Sequence, residues 1–215
     1  MEGIIYKVQP YQESSKLLFV YTTKGKYTLI SKGALKVNTQ LRSISQYLTL
    51  ISFDEDNKKM FALKNAKIVD DFQNIKEDYN IYKNAAVILE VLDKLIYEDN
   101  EHEKIYIEAL KALKGDLSYS FLSFLIRILF YLGFAPNIKG NGKKVKGMNA
   151  EQGGIVYEED NSCLDLNYGE TVVFLRVCSS SIKKEELEDS IKNKLIHFIA
   201  KYYQYHLQIS LKTLQ

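Results

Sequence analysis

The fold of the first part of the chain is decided by "KLLFVYTTKGKYTLISKG", residues 16–33. Two runs rich in Leu, Val, Ile, Thr and Tyr flank the short polar segment Lys24-Gly25-Lys26. Aromatic and β-branched residues favour strands, and a glycine between two such runs is typical of a tight hairpin turn. The stretch therefore predicts two antiparallel strands.

More strands are predicted on both sides of this hairpin. "GIIYKV" (3–8) precedes it, while "SQYLTLISF" (45–53) and "MFALKNAKIV" (60–69) follow it as a second hairpin around "DEDNKK". The one long connection is "GALKVNTQLRS" (33–43). Five short strands must hide their edges by closing or by packing on a partner. A Greek-key barrel of the OB type fits this count, and an SH3-like barrel fits the pattern about as well.

After Asp71 the hydrophobic period changes from two to about 3.6, which indicates helices. Helices are predicted at 80–98, 101–114, 117–133 and 184–207, and the irregular residues 134–181 contain possible strands at 153–159 and 171–178. The sequence therefore predicts an α+β protein. A barrel domain spans residues 1–72, and a helical domain spans 73–215 with an irregular lobe at about 134–181.

Charge is unevenly distributed. Residues 1–50 carry seven Lys or Arg and two Asp or Glu, a net charge of +5, whereas residues 74–133 carry seven against ten, a net charge of −3. A basic barrel indicates a polyanionic partner, although a solvated basic surface is the ordinary alternative. With three arginines in the whole chain, lysine point charges favour phosphate contact over base reading.

Other function classes find little support. No apolar run is long enough for a membrane span, and the N-terminus lacks the pattern of a signal peptide. Cys163 and Cys178 are too few for a disulfide framework, so a cytosolic protein with reduced thiols is expected. "KGNGKKVKG" lacks the ending of a phosphate-binding P-loop. We expect no catalytic residues, no metal and no cofactor.

A binding protein with a basic barrel can lay phosphates along lysines and stack bases on aromatic rings. Five tyrosines are available for stacking: Tyr6, Tyr11, Tyr21, Tyr27 and Tyr47. Alternating tyrosines that cover a barrel core are the competing interpretation, and we favour it for any single tyrosine.

At this point the chain resembles the RecO family of bacterial recombination and repair mediators. The cues run in order: Gly-Ile-Ile at the start, Tyr11 and Glu13 before "LLFVYT", "KGA" at 32–34, then "LRSISQYLTL". In the second half, "VILEVLDKLI", "FLIRILFYLGFAPNI" and "YYQYHLQISLKTL" resemble the family's first helix, central helix and C-terminal ending. The likeness covers nearly the whole chain.

The resemblance implies an OB barrel followed by a helical domain, in a non-enzymatic protein that binds single- and double-stranded DNA and promotes annealing. It also implies work with RecR, often with RecF, to load RecA onto DNA coated by single-strand-binding protein. Such a protein is cytoplasmic, associated with the nucleoid and independent of membranes. The alternative is an adaptor whose barrel binds a partner protein and touches DNA only incidentally.

The resemblance also directs attention to particular residues. Lys32, Lys36 and Arg42 fall in and after the family's basic "KGA" region and are expected to contact phosphate. Lys24 and Lys26 are expected to add charge at the hairpin tip. Arg127, within an apolar helix, either accepts the acidic tail of single-strand-binding protein or forms an internal ion pair with an acid such as Glu90.

Many relatives carry a four-cysteine zinc lobe after the "LGFAP" segment. The four matching positions here are approximately Asn141, Lys144, Tyr157 and Asp160, a set too weak to hold zinc. We therefore expect a zinc-finger-like insertion without metal ligands. Its lysines are expected to add basic surface for DNA: Lys139, Lys143, Lys144 and Lys146.

Overall fold

The computed structural model describes residues 1–37, 39–179 and 187–214. The chain is a mixed α+β protein that divides into two compact units, Met1–Leu113 and Lys114–Gln215. The first contains a six-stranded sheet, and the second contains a three-stranded sheet and the last helices of the chain. No helix within the described ranges is both long and apolar enough to cross a membrane.

The sheet of the first unit is built on a meander of its first three strands. Its strands are β1 (Glu2–Tyr11), β2 (Ser15–Thr22), β3 (Gly25–Ser31), β4 (Leu50–Ser52), β5 (Met60–Ala62) and β6 (Lys67–Asp70), in the spatial order β5-β3-β2-β1-β4-β6. The predicted β2–β3 hairpin is confirmed, with Lys16 opposite Ser31 and Thr22 opposite Gly25. Its turn consists of Thr23 and Lys24 and therefore begins one residue earlier than the predicted turn Lys24-Gly25-Lys26. Gly25 is already the first residue of β3.

The predicted count of five strands is wrong, and the predicted second hairpin is confirmed only for its later part, because β4 pairs with β6 and not with β5. The run 60–69 splits into β5 and β6, with Asn65 between them at φ +47°. β5 pairs in parallel with β3, whereas β6 pairs antiparallel with β4. These two short strands therefore form opposite edges of the sheet, and strand pairing alone does not close a barrel.

A hydrophobic core fills the inner face of this sheet. Its buried members include Ile5, Leu18, Leu29 and Ile51 from four strands, together with Ile44. Ile44 comes from α1 (Gln40–Ile44), a short helix inside the connection between β3 and β4. Burying Ile44 fixes this helix against the sheet, because each buried aliphatic side chain contributes about 1.5–3 kcal/mol.

Three further helices complete the first unit: α2 (Gln73–Lys76), α3 (Tyr79–Leu95) and α4 (His102–Lys114). Asp78 starts α3 by accepting hydrogen bonds from the backbone amides of Asn80 and Ile81, which satisfies two of the helix's unpaired donors. α3 and α4 confirm the predicted helices at 80–98 and 101–114. Both lie on the outer face of β1 and β2, where Tyr21 packs against α4.

The second unit begins with the predicted apolar helix. Its elements are α5 (Ser120–Tyr131), β7 (Val145–Asn149), β8 (Gly154–Tyr157), β9 (Leu166–Asn167), α6 (Tyr168–Cys178), α7 (Asp189–Leu207) and a 3-10 helix (Lys212–Leu214). Gly133 follows α5 at φ +78°, the left-handed conformation that ends helices, as predicted. The strand predicted at 153–159 is confirmed by β8. The predicted start of the last helix, at 184–186, lies outside the described residues.

Residues 134–179 are more regular than predicted. Val145–Asn149 is a strand, paired with β8 and β9. The strand predicted at 171–178 is wrong, because these residues form α6. Asn167 and Glu170 make a reciprocal capping box that starts this helix, so local capping outweighs the β-branched composition. Cys178 therefore lies at the end of a helix.

Candidate nucleic-acid interface

Four cations lie on segments that come together at one end of the first sheet, and we call them the basic cluster: Lys16, Lys32, Lys36 and Arg42. Lys16 is the second residue of β2, and its register partner Ser31 ends β3 immediately before Lys32. Arg42 lies on α1, whose following residue Ser45 donates a hydrogen bond from Oγ to Ser31 Oγ at 2.7 Å. This contact brings the helix beside the strand ends, so residues distant in sequence share one surface.

Backbone hydrogen bonds hold the loop that carries Lys36. The amide of Leu35 donates to the carbonyl of Ser14 at 2.9 Å, which ties the loop to the β1–β2 turn. The amide of Lys36 donates to the carbonyl of Gly33 at 3.0 Å, and Thr39 Oγ1 donates to the same carbonyl at 3.3 Å. The loop is therefore a built structure that presents its lysines in a defined arrangement.

Three members of the basic cluster have charges available to a ligand. Lys32, Lys36 and Arg42 are exposed, and none forms an ion pair with any residue that the structure describes. Lys16 is less available, since its Nζ donates to the carbonyl of Ser45 at 3.0 Å. Partial burial, and then the nearby Arg42 guanidinium, lower the pKa of the Lys16 ammonium. Because Lys16 Nζ contacts the carbonyl of Ser45, three residues after Arg42, the two cations lie in the same region, as a polyanion-binding surface requires.

The two hairpin lysines are engaged by the protein itself. Lys24 Nζ forms an ion pair with Glu55 Oε1 at 2.6 Å, and its pKa is raised by that hydrogen bond and charge. Lys26 Nζ donates to the carbonyl of Asp93 near the end of α3 at 2.8 Å and lies 5.5 Å from the centre of the Tyr6 ring. Burial lowers the pKa of Lys26. Lys26 therefore faces α3, away from the hairpin tip where it was expected.

The lysines of the second unit are paired in a similar way. Lys143 and Lys144 form ion pairs with Glu159 and Glu158 across the β7–β8 hairpin, at 2.5 Å and 2.6 Å. Lys146 is half-buried on β7. The predicted basic surface is therefore largely neutralised by the two glutamates that face it.

The four positions that match the zinc ligands of relatives serve other purposes in this lobe. Asn141 Oδ1 accepts from the amide of Lys143, and Asp160 Oδ2 accepts from the amide of Tyr157 at 2.8 Å. Lys144 is held by Glu158. Across the described parts of the chain, no group of three His, Cys, Asp or Glu side chains is placed to hold a metal ion.

The tyrosines divide into core residues and accessible ones. Tyr6, Tyr21 and Tyr27 are buried in the first unit, so they cover the core and cannot stack on a ligand. Tyr11 and Tyr47 remain partly exposed. Arg127 is half-exposed on α5 and interacts with other groups of the chain. The glutamate considered as its partner, Glu90, accepts from Lys94 Nζ at 2.5 Å.

Comparisons with known proteins agree along the whole chain. A family profile described as "Recombination protein O N terminal" matches residues 1–72, and one described as "Recombination protein O C terminal" matches residues 76–215. A protein of Caldicellulosiruptor bescii named DNA repair protein RecO is 26% identical over 231 aligned positions, covering 99% of this chain and 95% of that protein.

Two clostridial proteins of the same name are also similar. The Clostridium acetobutylicum protein is 24% identical over 222 positions, covering 92% of this chain and 87% of that protein. The Clostridium perfringens protein is 31% identical over 142 positions, covering 61% of this chain and 57% of that protein.

Proposed function

The chain belongs to the RecO family of DNA repair proteins, and we propose that it binds DNA through the basic cluster and promotes strand annealing during recombinational repair. The observation that carries this proposal is the exposure of Lys32, Lys36 and Arg42 on one surface without an acidic partner among the described residues. Cations of this kind exchange their counterions for phosphates, which drives sequence-independent binding. The proposed role is non-enzymatic and needs no cofactor.

An OB-type barrel is part of this proposal. Only four residues separate β5 from β6, although these strands lie at opposite edges of the sheet. Within that link, the amide of Leu63 donates to Ile30 of β3, while Lys64 O accepts from the amide of Asp54, just after β4. One short segment thus meets both edges, which supports a sheet curled into a barrel with a Greek-key strand order.

The wider role follows the family. We propose that the protein acts with RecR, often with RecF, and helps to load RecA onto DNA coated by single-strand-binding protein, whose acidic tail meets Arg127. The proposed setting is the cytoplasm, at the nucleoid. We propose a DNA-binding domain at residues 1–72 and a helical domain at residues 73–215, with an irregular lobe at about 134–181.

A salt titration with a matched charge control tests the DNA-binding proposal. The test variant changes Lys32, Lys36 and Arg42 to Gln, and the control changes the ion-paired Lys24, Lys143 and Lys144 to Gln. Each variant loses three charges. For single strands the slope of log K against log salt changes by about 0.7 per phosphate contact, so the test variant should lose about 2 from its slope. The control should lose much less.

Equal effects of the two variants would show that only net charge matters and would overturn the assignment to the basic cluster. Salt-independent binding by the unmodified protein would overturn DNA binding as the function.

A protein-binding adaptor is the second candidate, and one observation favours it. Val37, in the loop between Lys36 and α1, is 73% exposed, and Leu35 beside it is 41% exposed. Exposed aliphatic side chains of this kind are typical of contacts with another protein. Oligonucleotide binding that appears only after a partner protein is added would favour the adaptor over the DNA-binding mediator.

A further inference from the structure

A groove that the basic cluster does not use lies beside it in the first unit, and we call it the tyrosine groove. It encloses about 540 Å³ between α1, β6, α2 and α3. Six of its lining residues carry the argument: Gln46, Tyr47, Asp71, Gln73, Lys76 and Tyr82. Its volume lies within the roughly 300–1,000 Å³ of typical small-molecule sites.

Two aromatic rings line one side of this groove. Tyr47 and Tyr82 are half-buried and pack edge to face, with ring centres 6.2 Å apart. Burial raises the pKa of the Tyr47 phenol well above its ordinary value, so the ring is neutral at any physiological pH. Neither hydroxyl has a hydrogen-bond partner among the described residues. The rings thus offer apolar faces together with unused polar groups, as a planar heterocycle requires.

One cation and one acid complete the lining. The half-buried Lys76 ammonium has a single side-chain partner within the described ranges, Thr49 Oγ1 at 3.4 Å. Burial lowers its pKa, while Asp71 and Asp70 oppose that change. An ammonium carries three donors, so most of its capacity is unused. Asp71 and the Gln73 amide offer the acceptor and donor groups that recognise base edges.

The tyrosine groove adjoins the basic cluster through α1, since Ser43 and Gln46 line the groove and Arg42 precedes Ser43. Gln46 donates from Nε2 to the carbonyl of Arg42 at 2.6 Å, which joins the groove wall to a member of the cluster. A groove with one cation and one acid suits a neutral base better than a phosphate. The exposed cations next to it suit the phosphates of the same strand.

We infer that the tyrosine groove binds one unpaired base of a DNA strand whose phosphates lie on the basic cluster. The base stacks on Tyr82, against which Tyr47 packs edge to face, and its edge contacts Asp71, Gln73 and Lys76. A paired base cannot enter, so the groove gives the protein a preference for single strands. This inference rests on the proposed function, because it takes the basic cluster to be the phosphate-binding surface.

The test compares two labelled 20-mers in the full chain, one of thymidine and one of the same length built from abasic residues. The groove variant is Tyr82→Leu, and its control is Tyr79→Leu on the same helix, because Tyr79 is 78% exposed and lies outside the groove. Stacking on an aromatic ring contributes roughly fivefold to a hundredfold in affinity per base.

We expect the unmodified protein and Tyr79→Leu to bind thymidine more tightly than the abasic strand by a factor in this range. Tyr82→Leu should lose that advantage, keep its affinity for the abasic strand and keep its salt slope, because no phosphate contact is removed. Tyr82→Phe, which keeps the ring, should restore thymidine binding.

Equal affinity of the unmodified protein for both strands would overturn the inference, as would a Tyr82→Leu variant that keeps the thymidine advantage. In either case, the proposed function still holds if the unmodified protein shows a steep salt slope and if changing Lys32, Lys36 and Arg42 to Gln reduces that slope. No salt-dependent binding of either strand overturns both.

A cross-linking experiment on the unmodified protein tests the same inference without requiring any variant to fold. Strands containing 5-iododeoxyuridine, irradiated on the unmodified protein, should attach to Tyr82 or Tyr47. Attachment to Tyr79 or to other exposed tyrosines alone would contradict the inference.

Discussion

Replacing Gly25 by alanine tests how the β2–β3 hairpin is fitted to α4. Gly25 has φ +100°, and an added Cβ would lie 2.9 Å from Nε2 of His102 and 3.1 Å from its Cδ2. The His102 ring is held on both sides, with Nδ1 3.2 Å from the Tyr21 hydroxyl and Nε2 3.2 Å from the carbonyl of Glu98. The ring therefore cannot move without giving up hydrogen bonds.

The expected cost has two parts. A non-glycine residue at such a φ costs about 1–2 kcal/mol, and each of the two hydrogen bonds lost by His102 costs about 1 kcal/mol. We therefore expect Gly25→Ala to lower the free energy of unfolding by about 3–4 kcal/mol. Gly33→Ala is the matched control, because Gly33 has φ +78° but its added Cβ meets nothing closer than Lys36 Cδ at 3.8 Å. It should cost about 1–2 kcal/mol.

Urea unfolding followed by circular dichroism measures the stability of both variants. Alanine lowers the conformational entropy of the unfolded chain by the same amount at either position, so this effect cancels in the comparison. A cycle with His102→Ala isolates the contact. Once the ring is gone, Gly25→Ala should cost no more than Gly33→Ala, a coupling of about 2 kcal/mol. The reasoning is refuted if Gly25→Ala and Gly33→Ala cost the same, or if the coupling is below about 0.5 kcal/mol.

Three further predictions concern the second unit. Asn167→Ala should lower the free energy of unfolding by about 1 kcal/mol, measured in urea, because it removes the capping box of α6. Burial acts to raise the pKa of Glu170, but its carboxylate accepts hydrogen bonds from Lys194 and from the Asn167 amide, and together these lower the pKa. The resulting stabilisation of the fold is present above the unfolded-state pKa of Glu170 and is lost as the pH falls through its folded-state pKa. Glu170→Gln should therefore reduce the loss of stability at acid pH in melting curves measured over a pH series. Burial raises the pKa of Cys178 to about 12, whereas Cys163 is exposed; one thiol should therefore react with Ellman's reagent at pH 8 in the native protein and two in denaturant, and Cys163→Ser should abolish the native reaction.

The hairpin and the long helices could be predicted because their signals are local. Alternation in residues 16–31 and a helical period over 79–95 are properties of contiguous residues. The split of 60–69 could not be predicted in the same way, since it depends on two partners distant in sequence. β5 pairs with β3 and β6 pairs with β4, and the pattern of apolar residues is the same for one strand as for two.

The sequence does contain a signal that predicts a helix at 171–178, where a strand was expected. Composition alone favours a strand in "TVVFLRVC", which contains three valines and a threonine. Asn167 and Glu170 stand three residues apart just before this run, which is the spacing of a capping box. Capping fixes the first turn of a helix, and tertiary packing of Phe174 against Phe198 then supports the rest.

The sequence predicts which cations the candidate interface contains, but not which of them are held in ion pairs within the protein. Nine cations were expected to contribute to DNA binding. In the sequence, a lysine that pairs with an acid distant in the chain cannot be distinguished from any other lysine. Lys24 meets Glu55 across 31 residues, and Lys143 meets Glu159 across 16 residues. Only the structure shows that Lys24 and Lys143 form ion pairs, whereas Lys32 and Lys36 form none with the residues that it describes.

The difference between paired and unpaired lysines bears on the proposed DNA binding of this arginine-poor protein. A lysine held by a glutamate must give up that partner before it can neutralise a phosphate, and the exchange of one anion for another yields little net free energy. Lysines without such a partner release only counterions, which is entropically favourable at low salt. The number of unpaired cations should therefore set the salt slope, even though the chain carries 29 Lys and Arg residues in total. A slope that matched the total basic charge would contradict this argument, whereas one that matched the basic cluster would place the phosphates at residues 16–42.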